Sequence, residues 1–146
     1  MSWIKAMREK EPPEPNNPIG KVVIGNLQPD RMDTPKNMVR RSLKLAQFKT
    51  VDLGAAAHER SFAKKAKEVD ADIIAVSINL SSAKGKLPNL ISAIENEGMK
   101  GKVVVMIGGA AVEKEDADKI GALYGKTREE AVALAKKVVA EKHATS

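Results

Sequence analysis

One segment decides the fold of this chain: Lys21-Val22-Val23-Ile24-Gly25-Asn26-Leu27-Gln28-Pro29-Asp30-Arg31-Met32-Asp33-Thr34-Pro35-Lys36-Asn37. An apolar run ends at a glycine, a polar loop follows, and a helical pattern then begins. Such a strand–loop–helix unit is typical of an open parallel α/β sheet, in which the loop after the first strand borders the crevice that binds ligands. The chemistry of this loop therefore limits what the protein can do.

Short apolar runs alternate with helical patterns along the rest of the chain. The runs are β-branched and apolar on both faces, as strands buried between two helix layers should be. The candidate strands are Val22–Gly25, Thr50–Leu53, Ile73–Ser77, Val103–Ile107 and a short Ala122–Tyr124. This alternation predicts an α/β fold with a flavodoxin-like (Rossmann-like), doubly wound, five-stranded parallel sheet in the strand order 2-1-3-4-5.

Apolar residues recur at helical spacing between the candidate strands. The four stripes are Val39, Leu43 and Ala46; Phe62, Ala66 and Val69; Leu87, Leu90, Ile91 and Ile94; and Ala131, Leu134, Ala135, Val138 and Val139. Ser61 and Thr127 are predicted N-caps, and Thr127 with Glu130 makes a capping box. Gly98 and Gly101 are predicted to end the third helix.

The residues before the first strand form an extension. Lys10 to Pro18 contains four prolines and two asparagines, so neither a helix nor a central strand is expected there. For Met1–Lys10 the alternatives are a tail that lays Trp3 on the domain and a short helix that contacts a partner. The predicted organisation is an extension at 1–18, an α/β domain at 19–142 and a tail at 143–146.

Composition places the chain among ordinary globular proteins, with 42% hydrophobic and 30% charged residues. No stretch approaches the roughly 20 apolar residues that span a bilayer, and the N-terminus lacks the apolar region of a signal peptide. The absence of cysteine excludes disulfides, thiolate metal sites and cysteine nucleophiles. We therefore expect a cytoplasmic protein without a membrane anchor.

The formal net charge of +6 arises from 25 Lys plus Arg against 19 Asp plus Glu. The basic residues are spread over all the predicted helices, and the chain has only one Trp, one Tyr and two Phe for stacking on bases. We therefore do not expect a nucleic-acid site. A nucleotide-bearing cofactor or an acidic partner protein would suit the charge equally well.

Several ligand classes that use this architecture lack their required residues here. A dinucleotide site needs G-x-G-x-x-G after the first strand, where only Gly25 is present, and no G-x-x-x-x-G-K-[ST] phosphate loop exists. A phospho-receiver domain needs an aspartate where the third strand ends at Ser77, and a flavin site usually has aromatic residues in its loops. These absences leave the flavodoxin-like shape with an unusual ligand or with none.

Hydrolytic and metal chemistry have few candidates. The histidines are His58, which is expected in a surface turn before the second helix, and His143 near the C-terminus, so a Ser-His-Asp arrangement is not indicated. Asp30 and Asp33 fit either an acid pair with a weak Mg²⁺ site or the acidic residues favoured at a helix start.

Taken in order, the motifs of the chain resemble those of the cobalamin (vitamin B12) binding domain of corrinoid proteins, which serve methyltransferases. The matching segments are Lys21–Gly25, Lys36–Val39, Val51–Gly54, Ala71–Ser77 with Leu80–Ser82, Val104–Ala110 and Tyr124–Lys126. The resemblance covers nearly all of the segment from Lys21 to Val139.

The resemblance implies a slot that holds the nucleotide arm of the cofactor. The implied cofactor-binding residues are Asp30, Arg31, Met32, Asp33, Thr34, Gly54, Ser77, Leu80, Ser81, Ser82, Gly108, Gly109, Tyr124 and Gly125. Glycines would leave room for the arm, and serine hydroxyls would bind its base and phosphate. The alternatives are tight turns for the glycines and, for Ser77, a hydroxyl that satisfies only the backbone.

The family's D-x-H-x-x-G motif, whose histidine ligates cobalt and whose aspartate fixes the histidine tautomer, differs here. The aligned stretch is Asp30-Arg31-Met32-Asp33-Thr34-Pro35, with Met32 in place of the histidine and Pro35 in place of the glycine. Met32 is the metal-ligand candidate, although a thioether is a poor ligand for Co(III). Pro35 preorganises the helix start.

Three functions follow from the resemblance. The first is a corrinoid carrier that binds cobalamin without the histidine ligand and meets a methyltransferase or a corrinoid-activating protein. The second is a degenerate B12 domain that has lost the cofactor and acts as a docking or regulatory module. The third is the small subunit of an adenosylcobalamin-dependent mutase. In none of them is the chain expected to be catalytic alone.

Overall fold

The computed structural model describes residues 10–144. The predicted positions of Trp3 and of Thr145 and Ser146 lie outside the described residues. No helix within residues 10–144 is long and apolar enough to cross a membrane.

Strands and helices alternate through the described residues, as the apolar pattern predicts. In chain order they are β1 (Gly20–Asn26), α1 (Asp33–Leu45), β2 (Phe48–Asp52), α2 (Glu59–Val69), β3 (Ile73–Ser77), α3 (Ser81–Lys84), α4 (Leu87–Asn96), β4 (Val104–Gly108), α5 (Lys114–Lys119), β5 (Leu123–Tyr124) and α6 (Arg128–Ala144). All five predicted strands and all four predicted helices are present. The sequence pattern missed α3 and α5.

The strands form one parallel sheet in the order β2-β1-β3-β4-β5, which confirms the predicted architecture. The chain reverses direction across the sheet between β1 and β3, and this switch point is where ligands bind in such folds. In the register, Asn26 lies beside Ser77, and Ser77 lies beside Gly108. Three strand ends therefore meet at one edge.

Both faces of the sheet are covered, which explains why its strands are apolar on both sides. Val23 and Ile74 face one core, which contains Phe62 of α2 and Leu90 of α4. Alternate strand residues face a second core under α1 and α6, and this core contains Leu43 of α1. Side chains alternate along a strand, and each large one that is fully buried contributes about 2 to 3 kcal/mol.

The start of α2 differs from its prediction. The helix begins at Glu59, and His58 is the N-cap residue, with its Nδ1 accepting a hydrogen bond from the Arg60 N–H at 3.1 Å. Ser61, the predicted cap, lies inside the helix, so that prediction is wrong. The expected location of His58 in a helix-entry turn is confirmed.

The predicted capping box at the start of α6 is half correct. The Thr127 hydroxyl accepts a hydrogen bond from the Glu130 N–H at 3.1 Å, as an N-cap does. The Glu130 carboxylate, however, accepts from the Lys126 N–H at 2.9 Å instead of from the Thr127 N–H.

The described part of the extension, residues 10–18, contains no helix or strand, as predicted. It is attached to α1 by Glu11, whose carboxylate oxygens lie 2.6 and 2.7 Å from the Arg40 guanidinium and 2.6 Å from the Lys44 Nζ. Glu14 pairs with Lys44 at 3.0 Å. Arg40, followed by Lys44, lowers the pKa of Glu11 from 4.5 to about 2.

Candidate functional site

A cleft of about 690 Å³ opens at the carboxyl ends of β1, β3 and β4, between the sheet and the first turns of α1 and α6. Its floor is formed by Ile24, Ala75, Val76, Ser77, Met106, Ile107, Gly108 and Gly109, and Asn79 and the exposed Ala110 lie at its rim. Its walls are formed by Pro35, Lys36, Met38 and Val39 on one side and by Gly125, Lys126, Thr127, Arg128, Glu129 and Ala131 on the other. This volume lies in the range of small-molecule sites, about 300 to 1,000 Å³.

The cleft is apolar on its floor and polar at its rim. Ile24, Ala75 and Met106 are buried residues of the floor. Lys126 and Glu129 are exposed at the rim, where α6 begins. Backbone N–H groups at a helix N-terminus favour anions. The cleft therefore suits a ligand that has an apolar part and an anionic part.

Glycines allow the loops behind the cleft to come close together. A Cβ on Gly108 would lie 2.6 Å from the carbonyl oxygen of Gly125. Gly109 has φ +121°, and a Cβ there would overlap the carbonyl of Ile78. A Cβ on Gly125 would lie 3.3 Å from that of Ala131. At Gly108 and Gly109 the tight-turn alternative is supported by the close backbone approach, and both residues also line the cleft, while their contact with a cofactor stays a prediction.

The predicted site residues divide into two groups. Those that line the cleft are Ser77, Gly108, Gly109 and Gly125. Those outside its lining are Asp30, Arg31, Met32, Asp33, Thr34, Gly54, Leu80, Ser81, Ser82 and Tyr124. For all of these residues, a role as a cofactor contact stays a prediction.

Some residues of the second group lie on the outer surface of the same edge. The side chains of Met32 and Leu80 are 50% and 40% exposed, in the loops that follow the neighbouring strands β1 and β3. Ser81 and Ser82 are exposed at the start of α3. Met32 and Leu80 thus give this edge an apolar outer surface.

The fold itself gives places to three more of the predicted site residues, which are Gly54, Asp33 and Tyr124. Gly54, with φ +81°, lies in the turn after β2, and its carbonyl accepts from the Asn26 N–H at 2.9 Å. Asp33 is the first residue of α1, which agrees with the acidic-helix-start reading. Tyr124 packs against the core on the α2 and α4 side. No cluster of three or more metal-ligating His, Cys, Asp or Glu residues occurs between residues 10 and 144.

Asp30 lies at the centre of a buried hydrogen-bond network and is itself 0% exposed. Its Oδ1 accepts from the Met32 N–H at 2.9 Å. Its Oδ2 accepts from the Asn79 N–H at 2.8 Å, from the Asn79 side chain at 2.9 Å and from the Asn26 side chain at 3.3 Å. The carboxylate therefore joins the loop after β1 to the loop after β3.

Asn79 extends this network to the next loop. Its Nδ2 also donates to the Ser77 hydroxyl at 3.1 Å, and its Oδ1 accepts from the Ala110 N–H at 3.0 Å. The sequence analysis missed Asn79. A polar residue just beyond the carboxyl end of a buried strand is the signal that would have identified it.

Lys36 is a second residue that the sequence analysis missed. Its side chain is 3% exposed and lines the cleft, and its Nζ lies 2.8 Å from both oxygens of Asp52. One Asp52 oxygen also accepts from the Gly54 N–H at 2.8 Å, and the other lies 3.6 Å from the Arg40 Nε. Because Arg40 also binds Glu11, charged contacts run from the cleft to the extension.

Comparison with known proteins identifies the class to which this fold and cleft belong. The model of the family described as B12 binding domain matches residues 20–135. This chain belongs to that family.

Particular relatives are corrinoid proteins of Methanosarcina species. The chain is 38% identical over 123 residues to the dimethylamine corrinoid protein of Methanosarcina barkeri, covering 84% of this chain and 58% of that protein. It is 38% identical over 123 residues to dimethylamine corrinoid protein 3 of Methanosarcina mazei, covering 84% and 74%. It is 36% identical over 140 residues to trimethylamine corrinoid protein 1 of Methanosarcina acetivorans, covering 95% and 64%. The chain thus spans only part of each relative.

Solved structures show the same fold. A cobalamin-binding protein from Desulfitobacterium hafniense superimposes with a TM-score of 0.78 at 25% identity, over 82% of this chain and 58% of that one. The monomethylamine corrinoid protein of Methanosarcina barkeri superimposes with a TM-score of 0.79 at 20% identity, over 93% and 63%.

Proposed function

We propose that this chain binds a corrinoid of the cobalamin type and carries it for a methyltransferase. The observation that carries this proposal is the open cleft beside the sheet's switch point, in a chain of the B12-binding family. The named relatives are methylamine corrinoid proteins, which supports a methyl-transfer system as the setting.

The residues of the cleft fit the nucleotide arm of such a cofactor. The floor at Ala75 and Met106 would take the flat base, and the Ser77 hydroxyl would bind a polar atom of that base. Lys126 and the start of α6 would favour the phosphodiester. The glycines at Gly108 and Gly109 keep side chains out of the space.

The outer surface of the edge fits the ring of the cofactor. Met32 and Leu80 offer exposed apolar side chains in adjacent loops, where they would contact the corrin. The cofactor, when bound, supplies the cobalt chemistry of methyl transfer, and the chain supplies binding and orientation. A methyltransferase or a corrinoid-activating protein is the partner that this role requires.

We include in the proposal that the cofactor is held without a histidine ligand. No histidine is among the residues that line the cleft, and Met32 stands where the family motif places histidine. Affinity would then come from burial of the nucleotide arm and of the apolar surface of the corrin, because burying apolar surface contributes free energy in proportion to its area.

Gel filtration of the full chain with hydroxocobalamin tests the proposal. We expect the visible absorbance to elute with the protein. Ala110→Trp, at the cleft rim, should weaken binding at least about tenfold because it fills the entrance, an effect of the size of one lost anchoring contact. Ala133→Trp, at an exposed position on α6 outside the lining, is the matched control and should leave binding unchanged.

Two results would contradict the proposal. If all the colour elutes as free cofactor, the cofactor-free docking module becomes the better reading of the chain. If the protein binds hydroxocobalamin equally well with tryptophan at residue 110 or at residue 133, the nucleotide arm does not enter this cleft.

A further inference from the structure

The acceptor capacity of Asp30 is fully used by the chain itself. Four hydrogen bonds reach its two oxygens, from Met32, Asn26 and both nitrogens of Asn79. A carboxylate offers about four lone-pair sites. With an exposure of 0%, Asp30 is closed to further donors from a ligand or from a neighbouring imidazole.

The backbone of residue 32 is held in the same network, whereas its side chain is not. The Met32 N–H donates to Asp30 at 2.9 Å, and the Met32 carbonyl accepts from the Asn26 side chain at 3.1 Å. The Met32 side chain is 50% exposed. Asp30 therefore fixes the loop by its backbone and does not direct the side chain that occupies the ligand position of the family motif.

His58 does not take over the ligand role. Its Nδ1 accepts from the Arg60 N–H at 3.1 Å, so the neutral imidazole carries its proton on Nε2. A protonated ring nitrogen has no lone pair for a metal ion. The described histidine nearest in sequence to the first loop is thus committed to capping α2.

Asn79 supplies two of the four hydrogen bonds that Asp30 accepts. Its side chain contacts the loop after β1 through Asp30, the end of β3 through Ser77 and the loop after β4 through Ala110. Ser77 and Ala110 line the cleft and Asp30 lies behind it, so one amide side chain ties two segments of the cleft lining to the loop after β1.

We propose that Asp30 and Asn79 form a loop lock, defined as the hydrogen bond from the Asn79 side-chain amide to the Asp30 carboxylate, and that the chain holds a corrinoid with no protein side chain coordinated to cobalt. The second half of this statement rests on the proposed function. The loop lock itself does not. Asn79 is a positioning residue, because its side chain holds the Asp30 carboxylate, the Ser77 hydroxyl and the Ala110 N–H in place.

Hydrogen exchange of the cofactor-free chain tests the loop lock. Asn79→Ala should speed exchange of the Met32 amide about tenfold, the ratio expected for losing one hydrogen-bonded contact. Asn79 makes no direct contact with that amide, so the effect must pass through Asp30. Ser77→Ala is the matched control, because it removes a partner of Asn79 but no donor to Asp30. An unchanged Met32 rate in Asn79→Ala overturns the loop lock.

Electron paramagnetic resonance tests the coordination. Hydroxocobalamin is bound to the chain and reduced to Co(II), using protein made with ¹⁴N and with ¹⁵N. We expect identical spectra, since no protein nitrogen is on cobalt. Met32→Leu, which keeps an apolar side chain of similar size and removes only the sulfur, should leave the visible bands in place. A spectrum that depends on the nitrogen isotope, or bands that move in Met32→Leu, overturns the inference.

The two proposals fail differently. If hydroxocobalamin does not bind at all, the proposed function and the statement about cobalt fail together, while the loop lock is still decided by exchange. If it binds and the isotope changes the spectrum, the carrier function holds and the ligand-free coordination is wrong.

Discussion

Replacing Gly109 by alanine should destabilise the protein strongly. The residue has φ +121°, well beyond the left-handed helical region near +57° that other residues sometimes adopt. Strain of this kind costs about 1 to 3 kcal/mol. The added Cβ would also overlap the Ile78 carbonyl, which cannot retreat freely because it accepts from the Ala111 N–H at 3.1 Å. With the cost of overpacking included, we expect a loss of about 4 kcal/mol.

Gly101→Ala separates backbone strain from steric overlap. Gly101 has φ +81°, and a Cβ there would meet nothing within 4 Å. Its loss should be about 1 kcal/mol. In a domain of this size 1 kcal/mol moves Tm by about 3 °C, so thermal unfolding followed by circular dichroism should give shifts of about 12 and 3 °C. Equal shifts for the two variants would refute the argument that Gly109 is required by the approach of β3 and β4.

Three further changes have expected outcomes. Arg40 and then Lys44 lower the pKa of Glu11 from 4.5 to about 2, so the stabilisation from its charge is complete above pH 4.5 and is lost as the pH falls toward 2. Since Glu11 is half exposed, this stabilisation is about 1 kcal/mol. The free energy of unfolding of Glu11→Gln, measured between about pH 5 and 2, should lack this decrease, and identical pH dependence in the variant and the wild type would contradict the argument. Thr127→Ala should cost about 1 kcal/mol in urea unfolding, with Thr127→Ser close to wild type; an equal loss in both would exclude the cap. Phe62→Ala, at a site with 0% exposure, should cost about 4 kcal/mol; a loss below that of Thr127→Ala would mean that the core collapses around the gap.

The fold was predictable because its signals are local. The run Ile73–Ser77 is apolar on both faces, and its predicted ends agree with β3. The missed helices α3 and α5 contain four and six residues, which is too short for an apolar stripe to repeat. The start of α2 was misplaced because His58 caps it through a ring nitrogen, whereas the expected cap was a hydroxyl.

The candidate site was predictable where the family motifs fall at or just after strand ends. Ser77 and Gly108 follow from the family resemblance, and they line the same cleft because parallel strands end at the same edge of a sheet. Asn79 was missed because its importance depends on Asp30, which lies 49 positions away in the chain. Lys36 was missed because a lysine in a predicted helix is usually exposed to solvent. Only the structure shows that Asp52 lies beside it.

The charged contacts along α1 connect two parts of the molecule that would otherwise be independent. Lys36, Arg40 and Lys44 repeat every four residues, so they lie along one side of the helix from the cleft wall to residues 10–18. A ligand that displaces Lys36 from Asp52 leaves Asp52 free to pair more closely with Arg40. This change in turn affects the ion pair between Arg40 and Glu11. Ligand binding and attachment of the extension are then thermodynamically linked. Stronger attachment of residues 10–18 to α1 must change the affinity for the ligand by the same factor by which the ligand changes that attachment.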